Sequence, residues 1–113
     1  MGGKLIFIEI NMAFTRWGYS FEGAFLNCDS LKNLPGIYVI WCKSGENWKV
    51  LDVGESENVK ERVCNHDRQD CWARNCNGTI YYSAVYFPDS SAEQRRVVES
   101  EIRTTTKPPC GDR

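Results

Sequence analysis

The sequence lacks any apolar run long enough to cross a membrane. The opening stretch at residues 5–8 is cut off by Glu9 after four apolar residues, whereas a secretion signal needs about 7–15 and a membrane helix about 20. The start also lacks the serine or threonine at position 6 that myristoylation requires, since Ile6 stands there. These absences predict a soluble cytoplasmic protein with no membrane partner.

An excess of charge of either sign is also missing. Lysine and arginine together number 14, aspartate and glutamate 15, and the formal net charge is -1. Generic binding to a polyanion depends on clustered lysine and arginine that release counterions. The composition therefore excludes a general polyanion binder, and any site for nucleic acid must be local.

Six cysteines are present, but a disulfide framework requires an oxidising compartment, and no export signal is visible. We therefore expect reduced thiols. Cys64, His66, Cys71 and Cys76 share a short window, yet their spacing does not form the paired C-x2-4-C knuckles of structural zinc sites. Semi-buried thiols are the favoured interpretation of this window, and a small zinc-dependent structural protein is the alternative.

Apolar residues at 42%, with four Trp, five Tyr and five Phe in 113 residues, predict one compact domain with its own core. We divide the chain into an N-terminal extension at residues 1–33, with an added strand at 4–10 packed on the domain, and a main domain at 34–113. Residues 11–33 carry no pattern that assigns their secondary structure.

The clearest local signals begin at residue 36. Residues 36–43 and 48–54 are apolar, and residues 44–47 between them supply turn chemistry, which predicts a β-hairpin. Both faces of the first strand are apolar, so we expect an interior strand covered on two sides by helices. A third strand is predicted at residues 79–87.

Two helices are predicted to cover this sheet. Ser56 is placed to cap a helix that reaches about residue 65, with Val59 and Val63 on its buried stripe. Ser91 and Gln94 form a capping box for a second helix, which two consecutive prolines end. The expected class is α/β (α+β), with a central antiparallel or mixed sheet of three or more strands flanked by helices.

Several motifs occupy this region in a fixed order: Gly-Ile-Tyr at 36–38, Asp-Val-Gly at 52–54, Arg62, His66 four residues later, and Glu99 within E-x-x-[LI]-x5-P. In order and spacing they resemble the GIY-YIG endonuclease superfamily over roughly residues 34–111. Two positions depart from the family pattern. Asp52 replaces the tyrosine of the second triplet, and Gly111 stands where an asparagine is common.

The resemblance implies a phosphodiester hydrolase with three principal residues. Arg62 would clamp the phosphate through its planar guanidinium, and Glu99 would hold a divalent cation, Mg2+ or Mn2+. Tyr38 would take a proton from the attacking water, a role that demands a pKa lowered by nearby cations. Taken alone, each of these residues is an ordinary core tyrosine, helix arginine or surface carboxylate, and only their joint placement supports catalysis.

Three further positions keep alternatives open. Asp52 is a second metal ligand, a group that orients water, or the mark of a copy that has lost cleavage. His66, four residues after Arg62 on the predicted helix, makes a catalytic or phosphate contact or a structural hydrogen bond. Trp72, near Arg68 and Arg74, stacks on nucleic acid or closes the core, and the second interpretation is favoured.

The hairpin register decides whether Asp52 faces the same cleft as Tyr38. If these two residues are paired directly, the connection between the strands contains an odd number of residues, whereas a two-residue turn places Asp52 on the other face. We predict the odd connection, with Gly45 or Asn47 at positive φ.

The leading functional hypothesis is a metal-dependent endonuclease that hydrolyses phosphodiester bonds in DNA rather than RNA. Its rival is a catalytically degenerate GIY-YIG fold that acts as a nucleic-acid or protein binding module. Because residues 1–33 are too few to form a separate binding domain, a homodimer or a partner protein is expected to add binding surface.

Overall fold

The computed structural model describes residues 13–111, which form one antiparallel sheet and three α-helices and confirm the expected α+β class. In sheet order the strands are β1 (Ala13–Arg16), β2 (Tyr19–Phe25), β5 (Thr79–Tyr86), β3 (Gly36–Ser44) and β4 (Asn47–Ser56). The helices are α1 (Val59–Cys64), α2 (Gln69–Arg74) and α3 (Ala92–Thr106), and a short 3-10 helix spans Cys28–Ser30. The strand predicted at residues 4–10 lies outside the described residues.

Strand β3 lies between β5 and β4, and its first seven residues are buried. The interior strand predicted from its two apolar faces is confirmed. Tyr38 and Ile40 point to the side packed by α1 and α2, called here the α1/α2 face. Ile37, Val39 and Trp41 point to the opposite side, where Ile102 of α3 packs, called here the α3 face.

Helix α1 begins later than predicted, because Asn58 and not Ser56 precedes its first turn. The Ser56 hydroxyl accepts a hydrogen bond from the Asn58 backbone N–H, which forms a turn before the helix. Val59 and Val63 are fully buried, so the predicted stripe is confirmed. The helix is only six residues long and depends on tertiary contacts for its stability.

The capping box that begins α3 is confirmed, because Ser91 and Gln94 exchange side-chain and backbone hydrogen bonds. The helix ends at Thr106, and its C-cap Lys107 adopts the left-handed conformation with φ of 49° immediately before the prolines. None of the helices in residues 13–111 has the length and apolar character that spanning a membrane requires.

Besides the short 3-10 helix, the structure adds three elements that the sequence did not predict. Strands β1 and β2 form a hairpin that joins the main sheet where β2 pairs with β5. The third is α2, which is six residues long and has no side-chain cap. Short elements without caps carry weak local signals, and their positions depend on packing.

The cysteines correct the expectation of reduced thiols. All six are paired, as Cys28–Cys64, Cys42–Cys76 and Cys71–Cys110. The bridges connect the 3-10 helix to α1, β3 to the segment after α2, and α2 to the C-terminal segment. The cysteines of the window at residues 64–76 are therefore consumed by disulfides, which removes the ligands that a zinc site there would need.

Candidate functional site

The β3–β4 hairpin has a different connection from the predicted one. Ser44 faces Asn47 across a two-residue turn, and Gly45 in this turn has the predicted positive φ, 62°. The odd connection is therefore wrong. A bulge then inserts Leu51, because Trp41 faces Val50 while Ile40 faces Asp52.

This bulge returns Asp52 to the α1/α2 face. One extra residue reverses the alternation of side chains along β4, so Leu51 and Asp52 both point to that face. Tyr38 faces Gly54, two pairs along the ladder from Asp52, which faces Ile40. The predicted common face of Tyr38 and Asp52 is thus present, and the bulge rather than the turn produces it.

Gly54, the glycine of the second triplet, has a steric role. A Cβ atom at this position would overlap the hydroxyl and ring of Tyr38. The backbone of β4 therefore approaches the tyrosine ring more closely than any other residue type would allow. The Asp-Val-Gly triplet supplies both the space for Tyr38 and the carboxylate beside it.

Tyr38 and His66 form a buried pair, with 2.7 Å between Tyr38 Oη and His66 Nε2. The Arg68 backbone N–H donates to His66 Nδ1 at 3.0 Å, so Nε2 carries the imidazole proton and donates to Tyr38. Burial, together with the charges of Arg62 and Arg68, lowers the pKa of His66 to about 4. The imidazole is neutral near pH 7.

The position of His66 differs from the prediction that placed it on the same helix as Arg62. Helix α1 ends at Cys64, and His66 lies in the turn that leads to α2. This turn directs the ring inward, and the histidine is buried. The geometry favours the structural hydrogen bond among the two alternatives for this residue.

Tyr38 has a pKa shifted in the direction opposite to that of a general base. Burial and the nearby Asp52 carboxylate raise the pKa of Tyr38 to about 12, and the charges of Arg62 and Arg68 offset only part of this effect. A tyrosine that activates water near neutral pH needs a lowered pKa. The phenol is held neutral here.

Asp52 is fully buried and accepts hydrogen bonds on both oxygens. The donors are the Val53 backbone N–H, the Trp72 indole, two N–H groups of Arg68 and one of Arg103. A carboxylate offers about four lone-pair positions, so these five hydrogen bonds saturate it. Trp72 itself is buried in the core of the α1/α2 face, as the favoured interpretation expects.

Glu99 joins the same network through Arg103, which lies four residues later on α3. The distance between Arg103 Nε and Glu99 Oε2 is 3.3 Å, and both side chains are buried. Arg103 also donates to the backbone carbonyls of Val53 and Cys110. Sequence reasoning did not single out Arg103, although its i,i+4 spacing from Glu99 was a usable signal.

These contacts do not fit the metal site that the resemblance implies. A cation at Asp52 would have to displace Arg68 or Arg103, because the carboxylate has no lone pair left. Among residues 13–111, one group of potential ligands converges, Cys28, Asp29 and Cys64. Its two cysteines form a disulfide with each other.

Arg62 and Arg68 are the parts of this site that reach solvent. Their side chains are 39% and 29% exposed, and each contacts an aspartate, Asp67 at 3.2 Å and Asp52 at 2.8 Å respectively. Tyr38, His66 and Asp52 lie beneath them. The structure thus brings the predicted residues into one connected cluster, but it buries all of them except Arg62.

Comparisons with known proteins were made at three levels, and none found a match. No family model, curated protein or solved structure matches the chain.

Proposed function

We propose that this chain is a GIY-YIG-like domain that binds nucleic acid, DNA in the first instance, without cutting it. The observation that supports the proposal most is the state of Asp52. Its carboxylate replaces the second tyrosine and is saturated by Arg68, Arg103, Trp72 and backbone. A closed ion-pair network therefore occupies the place where a nuclease needs a hydrated metal and activated water.

The raised pKa of Tyr38 supports the same conclusion. With a pKa of about 12, the phenol does not accept a proton from water at neutral pH to a useful extent. Arg62 and Arg68 remain as partly exposed guanidinium groups at the edge of the domain. Arginine forks pair well with phosphate oxygens, so binding persists in this proposal while cleavage is lost.

The test combines binding and cleavage on the same protein preparation. Supercoiled plasmid is incubated with the protein and Mg2+ or Mn2+, and fluorescence anisotropy follows binding to a labelled duplex. We expect retarded but unnicked plasmid, binding that weakens as salt rises, and weaker binding for Arg62→Ala. Binding that is absent at low salt would overturn the proposal.

A metal-dependent endonuclease using Mg2+ or Mn2+ is the second candidate. One observation favours it, because Tyr38, His66 and Asp52 share a face next to Arg62, and Arg103 links Glu99 to Asp52. The candidate predicts nicking that disappears in Glu99→Ala and falls strongly in Arg62→Lys, since an ammonium lacks the planar fork. Nicking that survives Glu99→Ala points to a contaminating nuclease.

The cellular compartment stays a prediction. The three disulfides favour an oxidising compartment over the cytoplasm that the sequence suggested. The expected second copy or partner protein likewise stays a prediction, and the sedimentation velocity of the purified chain tests for the second copy.

A further inference from the structure

Aromatic rings form a continuous row on the α3 face, beyond the part that α3 covers. Trp17 stacks on Trp41 with 5.8 Å between ring centroids, Trp48 meets Trp41 edge-on at 6.1 Å, and Tyr81 lies 5.0 Å from Trp48. We call these four residues the aromatic platform. Trp48 is 45% exposed, Trp17 and Tyr81 are half-buried, and Trp41 lies beneath them.

Hydrogen bonds hold Trp41, the buried ring of the platform, in place. The Trp41 indole donates to Ser83 Oγ at 2.8 Å, and the Ser83 hydroxyl donates to the Val39 carbonyl at 3.2 Å. These bonds hold the buried ring in one orientation, and the neighbouring rings pack against it. A surface that is already ordered loses little conformational entropy when a ligand binds.

The backbone of Trp17 has an unfavourable conformation. It is the first residue of the two-residue turn between β1 and β2, where its φ of 51° lies in the left-handed region. Such turns favour Asn, Asp or Gly, and a bulky side chain at positive φ is uncommon. Strained positions of this kind cluster at functional sites, and here the strain presents an indole ring at the platform.

Two cations accompany the rings. The Arg16 guanidinium lies 5.3 Å from the Trp17 centroid and 5.6 Å from that of Trp41, and Lys43 Nζ lies 5.6 Å from the Trp48 centroid. The described strand residues that reach this half of the face include no acid: Phe14, Arg16, Trp41, Lys43, Trp48, Val50 and Tyr81. Glu46 is in the adjoining turn. Positive charge therefore lies beside the rings of Trp41 and Trp48, whereas Trp17 also borders a pocket that Glu101 of α3 lines.

We propose that the aromatic platform binds single-stranded nucleic acid, with bases stacked on Trp48 and its neighbours and phosphates paired with Arg16 and Lys43. Stacking on aromatic side chains along a positive surface is how proteins hold single strands without reading their sequence. A duplex hides its base faces and offers phosphates and the base edges in its grooves, neither of which stacks on a ring. This inference refines the proposed function, because it names a strand-selective surface on the side of the sheet opposite Arg62 and Arg68.

The test measures fluorescence anisotropy of a labelled oligothymidylate with the full, disulfide-bonded chain. We expect the single strand to bind more tightly than the matching duplex. Trp48→Ala should weaken single-strand binding about 5- to 100-fold, as expected for one lost stacked base, and Trp48→Phe should restore most of it. Leu26→Ala is the matched control, because Leu26 is a large, exposed apolar residue that is not part of the platform.

The salt dependence separates stacking from charge. Lys43→Ala and Arg16→Ala should each reduce the slope of log K against log salt by about 0.7, and Trp48→Ala should leave it unchanged. Polyphosphate, which has charge but no bases, should compete poorly. Equal affinity for polyphosphate, or unchanged single-strand binding in Trp48→Ala, would overturn the inference.

Failure of this inference is distinguishable from failure of the proposed function. If Arg62→Ala weakens duplex binding while Trp48→Ala has no effect on single-strand binding, the proposed function is supported and the aromatic platform is rejected as a binding site. If Trp48→Ala weakens single-strand binding and Arg62→Ala changes the affinity for neither ligand, the platform is supported as a binding site and the role of Arg62 is rejected. If neither ligand binds at low salt, both are rejected.

Discussion

The two faces of the sheet are held together by different means. On the α1/α2 face, two six-residue helices, three disulfides and a buried ion-pair network around Asp52 cover the sheet. On the α3 face, one fifteen-residue helix with a capping box packs beside a row of aromatic rings. The α1/α2 face thus depends on disulfides and on ionic links that extend to Arg103 of α3, and the α3 face depends mainly on apolar packing.

The length of the helices accounts for this difference. A helix of six residues cannot stabilise itself, since forming the first turn fixes several residues for one hydrogen bond. α1 and α2 therefore need tertiary links. Disulfides join α1 to the 3-10 helix and α2 to the C-terminal segment, and Asp52 of β4 accepts a hydrogen bond from Trp72 of α2. α3 is long enough to begin with its own cap and to bury Ile102 against the sheet.

The largest loss of stability is expected at Asp52, where the ion pairs with Arg68 and Arg103 meet. Asp52→Asn removes the carboxylate charge that Arg68 and Arg103 share while keeping the side-chain size, and leaves the buried Arg103 with Glu99 as its acidic partner. We expect the free energy of unfolding to fall by about 3–5 kcal/mol, measured by urea denaturation. Glu22→Gln breaks the exposed pair with Lys32 and should cost no more than about 1 kcal/mol. Equal losses would contradict the distinction between a buried and an exposed ion pair.

Removal of one disulfide tests the covalent links. The double variant Cys71→Ser with Cys110→Ser frees α2 from the C-terminal segment and should lower the free energy of unfolding by about 2–4 kcal/mol. Hydrogen exchange should accelerate in α2 more than in α3. Uniform acceleration in both helices would show that the two faces unfold as one unit.

A fall in pH should lower the free energy of unfolding, because His66 on the α1/α2 face is held neutral in the folded chain. Its pKa falls from 6.5 to about 4 on folding, so the unfolded chain takes up this proton first as pH drops. The stabilisation is present above pH 6.5 and is lost as pH falls toward 4, by up to about 3 kcal/mol. Denaturation curves across this range should show a shallower pH dependence for His66→Gln. An identical dependence in both proteins would exclude His66 as the cause.

The smallest loss of stability is expected on the α3 face. Ser83→Ala removes the acceptor of the Trp41 indole N–H and leaves a buried donor unpaired, at a cost of about 1–2 kcal/mol. The near-ultraviolet circular dichroism of the tryptophans should change with little loss of helix signal. A loss as large as that of Asp52→Asn would mean that hydrogen bonding, and not apolar packing, holds this face.

The sequence identified elements whose signals are local. The apolar run of β3 and the Ser91 capping box were predicted and are present. The β1–β2 hairpin was not, because β1 has only four residues and the turn places Trp17 at positive φ, where turn rules expect Asn, Asp or Gly. Ser56 was assigned as the cap of α1 on residue type alone, and Asn58 takes the position instead.

The disulfides show where composition misled. Without a visible export signal, the thiols were expected to be reduced, and six cysteines allow 15 possible pairings in any case. The observed pairs join residues 34 to 39 positions apart. Which sulfur atoms meet is decided by how the short helices pack on the sheet, and that packing leaves no periodic trace in the sequence.

By itself, the sequence determined the α+β class, the central apolar strand, the cap of α3 and a set of residues at characteristic spacings. Only the tertiary structure decided what those residues do. The Leu51 bulge turns Asp52 toward Tyr38, and Arg68 and Arg103, 16 and 51 residues away, then saturate its carboxylate. A buried charge must find partners in space rather than along the chain, and the spacing of a motif cannot report which partners it has found.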